Sequence, residues 1–199
     1  MPSSLSLTFC YFFPAASNFA RYLSGSLVIA DSQPAQQRKT VLPFTVTFTG
    51  LPAGGWFGEG TAIKKEPYRY NVQALRASVV AGLPVAGFHW LLDHSIGFNR
   101  FVMNQLNERL GQFIAAREID RINNPDVRVA RSLASLFNPV LYPGVGEVLR
   151  ITQQELAYLV GLSRQRVNVA LQALEAAGAI RIEYGGLRVL NLDALRQSR

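Results

Sequence analysis

Side chains that can bind nucleotide bases are concentrated between positions 164 and 168: Arg164, Gln165, Arg166 and Asn168. Arginine can donate two hydrogen bonds to a guanine edge or bind a phosphate, whereas Gln and Asn can pair with an adenine edge. Ser163 directly precedes them and can cap a helix that begins there. The group therefore has base-reading chemistry if a helix start presents it to a partner; the alternative is an ordinary solvated basic face.

Residues 151–171 predict the elements that would position these side chains, namely two helices joined by a tight turn. Thr152 and Glu155 have capping-box spacing at the start of the first helix. Gly161 suits the turn, where a positive φ costs little only for glycine. Apolar residues recur at helical spacing in both segments and give each helix a face to bury: Leu156, Leu159, Val160, Val167, Ala170, Leu171 and Leu174. Arg164, Gln165, Arg166 and Asn168 are then expected to point outward.

A β-hairpin is predicted directly after the second helix. Ala179 to Tyr184 and Leu187 to Leu190 read as short strands around the turn Gly185-Gly186. Such a wing beside a helix-turn-helix favours double-stranded DNA as the partner. Arg181 and Arg188 in the wing are expected to contact phosphates. Arg166 could also contact a phosphate instead of a base.

The composition of the chain limits the class of protein and the kind of partner that it can have. The chain has 199 residues, 49% of them hydrophobic, with a formal charge of +7 and a pI near 10.0, which suits a globular protein with a polyanionic partner. Its one cysteine, Cys10, excludes an intrachain disulfide and a cysteine metal cluster. For His89 and His94 a structural or solvent-facing role is favoured over metal binding, and no metal site is predicted.

No segment is apolar enough to span a membrane. Leu5 to Phe13 is too short and lacks the basic flank of a signal peptide. We therefore expect a cytoplasmic protein without a membrane partner.

Three regions follow one another along the chain. Residues 1–96 are rich in β-branched and aromatic residues, with strands predicted at Ser26–Ala30, Val41–Phe48 and Tyr70–Leu75, and with turns or loops at 51–55 and 64–67. Residues 97–123 predict one long helix. Residues 124–199 form the third region, which begins with a helix at about Asp126–Phe137 because Pro125 disfavours the helical conformation at Asn124.

The long helix carries apolar residues at 3-4-3 spacing: Met103, Leu106, Leu110 and Phe113. About 25 residues would span about 37 Å. A helix of this length between a β-rich region and a DNA-binding region suits packing against a two-fold mate. The alternative is that it packs only on its own β-rich region.

Two segments resemble the Crp/Fnr family of bacterial transcription regulators. Gly54-Gly-Trp-Phe-Gly58-Glu59-Gly60, followed by Arg69 and Val72-Gln-Ala-Leu75, resembles that family's phosphate-binding cassette. Gly161-Leu-Ser-Arg-Gln-Arg-Val-Asn168 and Leu171-Gln-Ala-Leu-Glu175 resemble its helix-turn-helix. The resemblance, which runs from about residue 22 to the C-terminus, implies an α+β fold. It comprises an incomplete cyclic-nucleotide-binding-like antiparallel β-roll, a long dimerisation helix and a C-terminal winged helix-turn-helix.

The resemblance implies an effector site at Gly58, Glu59, Arg69 and Tyr70, with a cyclic nucleotide as the candidate ligand and no other cofactor. Glu59 would take a ribose hydroxyl and Arg69 the cyclic phosphate. Tyr70 replaces the Ser or Thr usual in cyclic-nucleotide-binding members and is far bulkier, so Glu59 and Arg69 could instead pair with each other inside the roll. Residues 1–21 are atypical: Ser3–Ala20 does not resemble the strands that open a full roll.

The function that follows is a homodimeric, sequence-specific DNA-binding transcription regulator, gated by an effector and partnered with RNA polymerase as the family implies. Its operator is expected to be an imperfect palindrome. Val169 stands where many relatives carry an arginine, so its base preference is expected to differ from theirs. The alternative is a ligand-binding or protein-interaction module whose winged helix does not bind DNA. No enzymatic activity is predicted, because no nucleophile–base pair or metal set is recognisable.

Overall fold

The computed structural model describes residues 10–13, 28–32, 49–51, 54–67, 72 and 78–198. These residues fall into two compact units. The first contains the described residues up to Ser32 and from Leu51 to Glu108; the second contains Thr49, Gly50 and residues 109–198. The predicted strands Val41–Phe48 and Tyr70–Leu75 lie outside the described residues, Val72 excepted.

Four short strands form an antiparallel sheet in the first unit: β1 (Cys10–Phe13), β2 (Val28–Ser32), β3 (Trp56–Phe57) and β4 (Ser78–Gly82). Their order is β2-β4-β1-β3. β1 lies within Ser3–Ala20, the segment that does not resemble the strands that open a full roll, and its residues pair with both β3 and β4. The short apolar run that contains β1 is itself a strand signal. The second strand, predicted at Ser26–Ala30, is confirmed with a shift of two residues.

Three helices accompany this sheet: α1 (Glu59–Lys64), α2 (Val85–His94) and the first half of α3 (Ile96–Asp120). Ala62, Phe88 and Val102, one from each helix, form the buried centre of the unit. Aromatic rings surround it, with Trp56 and Phe101 edge to face at 4.9 Å between ring centroids. The sequence did not predict α1, which is too short for a helical period, and it assigned Lys64, the last residue of α1, to a loop. It did not predict α2 because its apolar residues surround the helix axis.

The long helix α3 confirms the prediction for residues 97–123, although it ends at Asp120. The N–H groups of Arg121 and Ile122 donate to carbonyls three residues back, at 3.1 and 3.0 Å, rather than four. This tighter last turn closes the helix before Asn124 begins the next one.

The second unit contains four further helices and three strands, in chain order α4 (Pro125–Ser135), β5 (Val148–Leu149), α5 (Gln153–Val160), α6 (Arg164–Ala176), β6 (Ile180–Glu183), β7 (Gly186–Val189) and α7 (Leu192–Gln197). The Asn124 side chain caps α4 by accepting the Asp126 N–H at 3.0 Å, and Pro125 occupies the first turn, where no N–H is needed. The helix ends two residues before the predicted Phe137. The core of this unit joins α4, α5, α6 and both wing strands.

Candidate nucleic-acid interface

The corner between α5 and α6 has the geometry predicted from its sequence. Thr152 Oγ1 accepts the Glu155 N–H at 3.2 Å, and Glu155 Oε2 accepts the Thr152 N–H at 2.8 Å, which confirms the capping box. Gly161 ends α5 with a φ of 65°, in the left-handed region. The Leu162 N–H then donates to the Ala157 carbonyl at 3.1 Å. These bonds fix the direction in which α6 leaves the corner.

The start of α6 presents two side chains to solvent. Ser163 Oγ accepts the Arg166 N–H at 3.2 Å, so the predicted cap is confirmed. Arg164 and Gln165 are exposed, as predicted. Across the described part of the chain, neither side chain has a hydrogen-bond or ion-pair partner. Their five guanidinium donors and one amide group therefore remain available to a ligand.

The opposite face of α6 holds the helix in place. Val167 and Ala170 have no exposed surface, and Leu171 is 3% exposed. They pack in one core with Leu156 of α5 and Val129 of α4. Because packed interiors resist displacement, this buried face makes the orientation of the exposed face rigid.

Arg166 has an ion-pair partner within the domain. Its Nη2 lies 2.7 Å from Asp126 Oδ1 at the start of α4, and both side chains are about one-third exposed. A charge-assisted hydrogen bond of this length engages the guanidinium. The sequence did not predict this ion pair with another helix, and contact of Arg166 with a phosphate stays a prediction.

Asn168 also has an intramolecular partner. Its Oδ1 accepts a hydrogen bond from Gln153 Nε2 at the start of α5, at 2.8 Å, and the side chain is partly buried. A bidentate contact to adenine needs both the oxygen and the nitrogen of the amide. Base reading by Asn168 stays a prediction, and the group that this bond leaves available on Asn168 is its NH2 donor.

The predicted wing is confirmed as β6 and β7, which pair with Ile180 opposite Val189 and Glu183 opposite Gly186. The connecting residues are Tyr184, which is fully exposed, and Gly185, which has a φ of 74°. A third strand, β5, pairs with β7 and was not predicted. A Cβ on Gly186 would collide with the carbonyl oxygen of Leu149 in β5, so glycine is needed here for close approach of the two strands.

The two wing arginines differ in their ion-pair partners. Arg188 Nε donates to Glu183 Oε1 at 2.7 Å, and its Nη1 lies 3.3 Å from Glu147 Oε2. The hydrogen bond to Glu183 raises the pKa of Arg188. Two carboxylates thus offset the charge predicted to bind phosphate. Arg181, directly opposite Arg188 in the hairpin, is exposed and has no ion-pair partner among the described residues.

Helix and wing border a common cleft. Arg164 from α6, Thr152 from the start of α5 and Gly185 from the wing turn line a space of about 500 Å³. A ligand that meets the start of α6 therefore lies within reach of the wing. This is the arrangement in which one surface can contact both the edges and the backbone of a duplex.

The apolar stripe on α3 divides between two environments. Met103, Leu110 and Phe113, which we name the dimer face, are 60%, 59% and 49% exposed. Leu106, the fourth predicted member, packs against the core of the first unit, together with the buried Val102. The alternative of packing on the chain's own β-rich region thus holds for Leu106, whereas about half or more of each of the other three side chains is exposed.

The candidate effector residues are described only in part. Gly58 has a φ of 91°, and Glu59, the first residue of α1, is 6% exposed. The buried carboxylate and a glycine that permits close backbone approach suit a polar ligand. Arg69 and Tyr70 lie outside the described residues, and so does any pairing between Glu59 and Arg69.

Four residues that shape this interface were not identified from the sequence: Asp126, Glu147, Gln153 and Glu183. The partners of Asp126 and Gln153 lie 40 and 15 positions away in the chain, so no local pattern points to them. Glu183 gave a signal that could have been used, because it lies at a hairpin end with Arg188 five residues on. Cross-strand neighbours of opposite charge commonly pair.

Each of the two histidines lies within hydrogen-bond distance of a backbone carbonyl. His89 Nε2 lies 2.9 Å from the Ala62 carbonyl, and His94 Nδ1 lies 2.8 Å from that of Trp90. The described residues contain no cluster of three or more His, Cys, Asp or Glu side chains that could hold a metal. None of the helices in the described ranges is long and apolar enough to cross a membrane.

The capped corner, the exposed helix start and the three-stranded wing define a winged helix-turn-helix. Comparison with known proteins specifies its type: residues 127–198 match the Crp-like helix-turn-helix domain. This segment is therefore similar to Crp-like helix-turn-helix domains.

Solved structures extend the likeness to the fold of the chain. TTHB099, a transcriptional regulator of the CRP family from Thermus thermophilus, is 20% identical with a TM-score of 0.57, and the match covers 96% of this chain and 87% of that one. FixK2 from Bradyrhizobium japonicum is 14% identical with a TM-score of 0.51, covering 72% and 71% of the two chains. The chain thus has the fold of Crp/Fnr-type transcription regulators. The search of curated proteins found no match.

Proposed function

We propose that this protein is a homodimeric, sequence-specific DNA-binding transcription regulator that acts in the cytoplasm. The observation that carries the proposal is the exposure of Arg164 and Gln165 at the capped start of α6, the second helix of a Crp-like domain. A formal charge of +7 supports a polyanionic partner. As for the class in general, RNA polymerase is the protein partner that we propose for the DNA-bound form.

Docking would place the start of α6 in the major groove, where each base pair presents a distinct set of donors, acceptors and methyl groups. Arg164 and Gln165 would read base edges, and the NH2 group of Asn168 would add a donor. Ser163 Oγ already accepts the Arg166 N–H, so its hydroxyl hydrogen can still donate to a phosphate. Arg181 would contact the backbone from the wing, whereas Arg166 and Arg188 would contribute less while carboxylates hold them.

Dimerisation would use the dimer face of α3. Met103, Leu110 and Phe113 follow coiled-coil spacing and are about half exposed or more, which is costly for large apolar residues unless a second copy covers them. A two-fold dimer would present its two α6 helices to half-sites about 34 Å apart along the duplex.

Sedimentation of a Leu110→Asp variant tests this assembly. The wild type is expected to sediment as a dimer and Leu110→Asp as a monomer, because an unpaired charge would be buried at the two-fold axis. Asn104→Asp, an exposed position on the same helix about 120° around its axis from Leu110, should remain a dimer. A dimeric Leu110→Asp would contradict the assigned face.

Effector gating is a further part of the proposal, with Gly58 and Glu59 in the ligand site. A cyclic nucleotide fits the described residues in that a buried carboxylate can accept hydrogen bonds from ribose hydroxyls. Titration calorimetry with cyclic AMP and cyclic GMP should give heat that Glu59→Ala removes. Absence of heat with both ligands would contradict this assignment and leave DNA binding unaffected.

Selection of bound duplexes from a random pool tests the DNA-binding proposal itself. The expected outcome is an imperfect palindrome with half-sites one helical turn apart, bound with an affinity that falls steeply as salt rises. Recovery of no enriched sequence, together with salt-insensitive binding, would favour a protein-interaction module instead.

A further inference from the structure

The outward face of α6 contains one apolar side chain among polar ones. Val169 is 53% exposed and lies one turn after Gln165, so the two side chains are neighbours on the helix surface. Gln172, a turn further on, is also exposed. The buried face of the same helix is formed by Val167, Ala170 and Leu171, so Val169 does not belong to the core.

Neither helix propensity nor core packing requires a valine at this position. Valine forms helices less readily than alanine, because its branched side chain loses rotamer freedom against the preceding turn. Packing normally offsets that cost, but half of Val169 remains open to solvent. An isolated exposed apolar residue is ordinary on a protein surface; this one lies beside Gln165, on the face that the proposed function places against base edges.

We infer that Val169 is a specificity-determining residue that selects a thymine through its C5-methyl group. Among the four standard bases, thymine alone presents an apolar group in the major groove, so an apolar side chain there can favour only that base by contact. The branched side chain is rigid and would bury the methyl group with little loss of entropy. The Gln153–Asn168 hydrogen bond holds the adjacent polar side chain by an internal contact. This inference rests on the proposed function, since it assigns one base contact of the same surface.

Removal of single methyl groups from the DNA tests the contact. In the duplex selected by the wild type, each thymine of one half-site is replaced in turn by uracil, which lacks only the C5-methyl. Fluorescence anisotropy then gives the dissociation constant for the wild type and for Val169→Ala. At one thymine, uracil should weaken the wild type about fourfold, the size expected for one methyl group no longer buried. At that position the uracil effect should be smaller for Val169→Ala, whose single methyl group reaches less far toward the base.

Controls separate this contact from general effects. Leu190→Ala truncates another half-exposed apolar residue of the same domain and should retain the full uracil effect. Val169→Ala should unfold at a temperature no lower than the wild type, since the side chain lies outside the core. Equal uracil effects in the wild type and Val169→Ala at every thymine would overturn the inference and leave the DNA-binding proposal standing. Failure to select any specific duplex would overturn both.

Discussion

The start of α6 and the wing both carry arginines, but these arginines differ in whether a carboxylate binds them. Arg164 is exposed and has no ion-pair partner among the described residues, whereas Arg188 is held at 2.7 Å by Glu183 and at 3.3 Å by Glu147. A guanidinium without carboxylate partners can give its donors to a base edge, while a doubly paired one must first break charged hydrogen bonds. Under the proposed function, we therefore expect α6 to supply specificity and the wing to supply a smaller, less specific attraction.

The same contrast occurs within α6. Arg164 and Gln165 are open, while Arg166 and Asn168 are bound to Asp126 and Gln153. The two bound residues face other helices of the domain, so they stabilise the corner that presents the two open ones. Under the proposed function, base reading and helix positioning are divided between neighbouring residues.

The largest effect on DNA binding is expected for Arg164→Ala. Loss of a base-reading arginine should weaken binding to the selected duplex by about 1–3 kcal/mol per half-site, and it should relax preference at one base position. Binding to a random duplex should weaken less, because that interaction involves mainly phosphates. Titration of both duplexes measures the two effects. Equal losses on both duplexes would mean that Arg164 contacts the DNA phosphates. In that case α6 and the wing would not differ in specificity.

A comparable effect, on stability rather than on binding, is expected for Gly186→Ala. The added Cβ would collide with the Leu149 carbonyl and force β5 and β7 apart, at a cost of about 1–3 kcal/mol in the free energy of unfolding. Gly146→Ala is the matched control, because a Cβ there meets nothing within 4 Å. Urea unfolding measures both variants. Equal unfolding free energies for the two variants would mean that the close approach of β5 and β7 does not require glycine at position 186.

A smaller effect is expected for Asp126→Ala, which releases Arg166 from its ion pair. The released guanidinium could then contact a phosphate, so the slope of log affinity against log salt should steepen by about 0.9 per protomer. Asp193→Ala, which removes a carboxylate from the first turn of α7, controls for the change in net charge. Identical slopes for the two variants would show that Asp126 does not restrain Arg166.

The smallest effect is expected in the wing. Arg181→Ala should lower the salt slope by about 0.9 per protomer and weaken all sequences alike, as loss of one phosphate contact does. Arg196→Ala removes the same charge from α7, where Arg196 lies 3.4 Å from Asp193, and should leave the slope unchanged. A base-specific loss in Arg181→Ala would mean that the wing reads sequence.

Features set by neighbouring residues could be predicted from the sequence. The capping box of Thr152 and Glu155, the left-handed Gly161 and the hairpin at Gly185 each depend on a few adjacent positions, and the structure confirms them. Bonds between distant segments could not be predicted, and for that reason the engagement of Arg166 by Asp126, 40 positions away, was missed. The short helix α1 and the two-residue strand β5 offer too little periodicity to be recognised.

In the candidate site, too, local features could be predicted and contacts between distant segments could not. Residue types and helical spacing were enough to place Arg164 and Gln165 on an exposed face. Which other polar residues would be held by internal partners depended on tertiary contacts. The apolar stripe of α3 shows the same limit, because its spacing could not reveal that Leu106 packs on its own unit while Leu110 stays exposed.

The account depends most on base reading by the exposed start of α6, and a paired selection experiment tests this directly. Duplexes are enriched from one random pool by the wild type and, in parallel, by Arg164→Ala. The account predicts that both recover a palindrome with the same half-site spacing and that the variant loses preference at one symmetric position in each half-site. Recovery of the same sequence with the same preference at every position would contradict it.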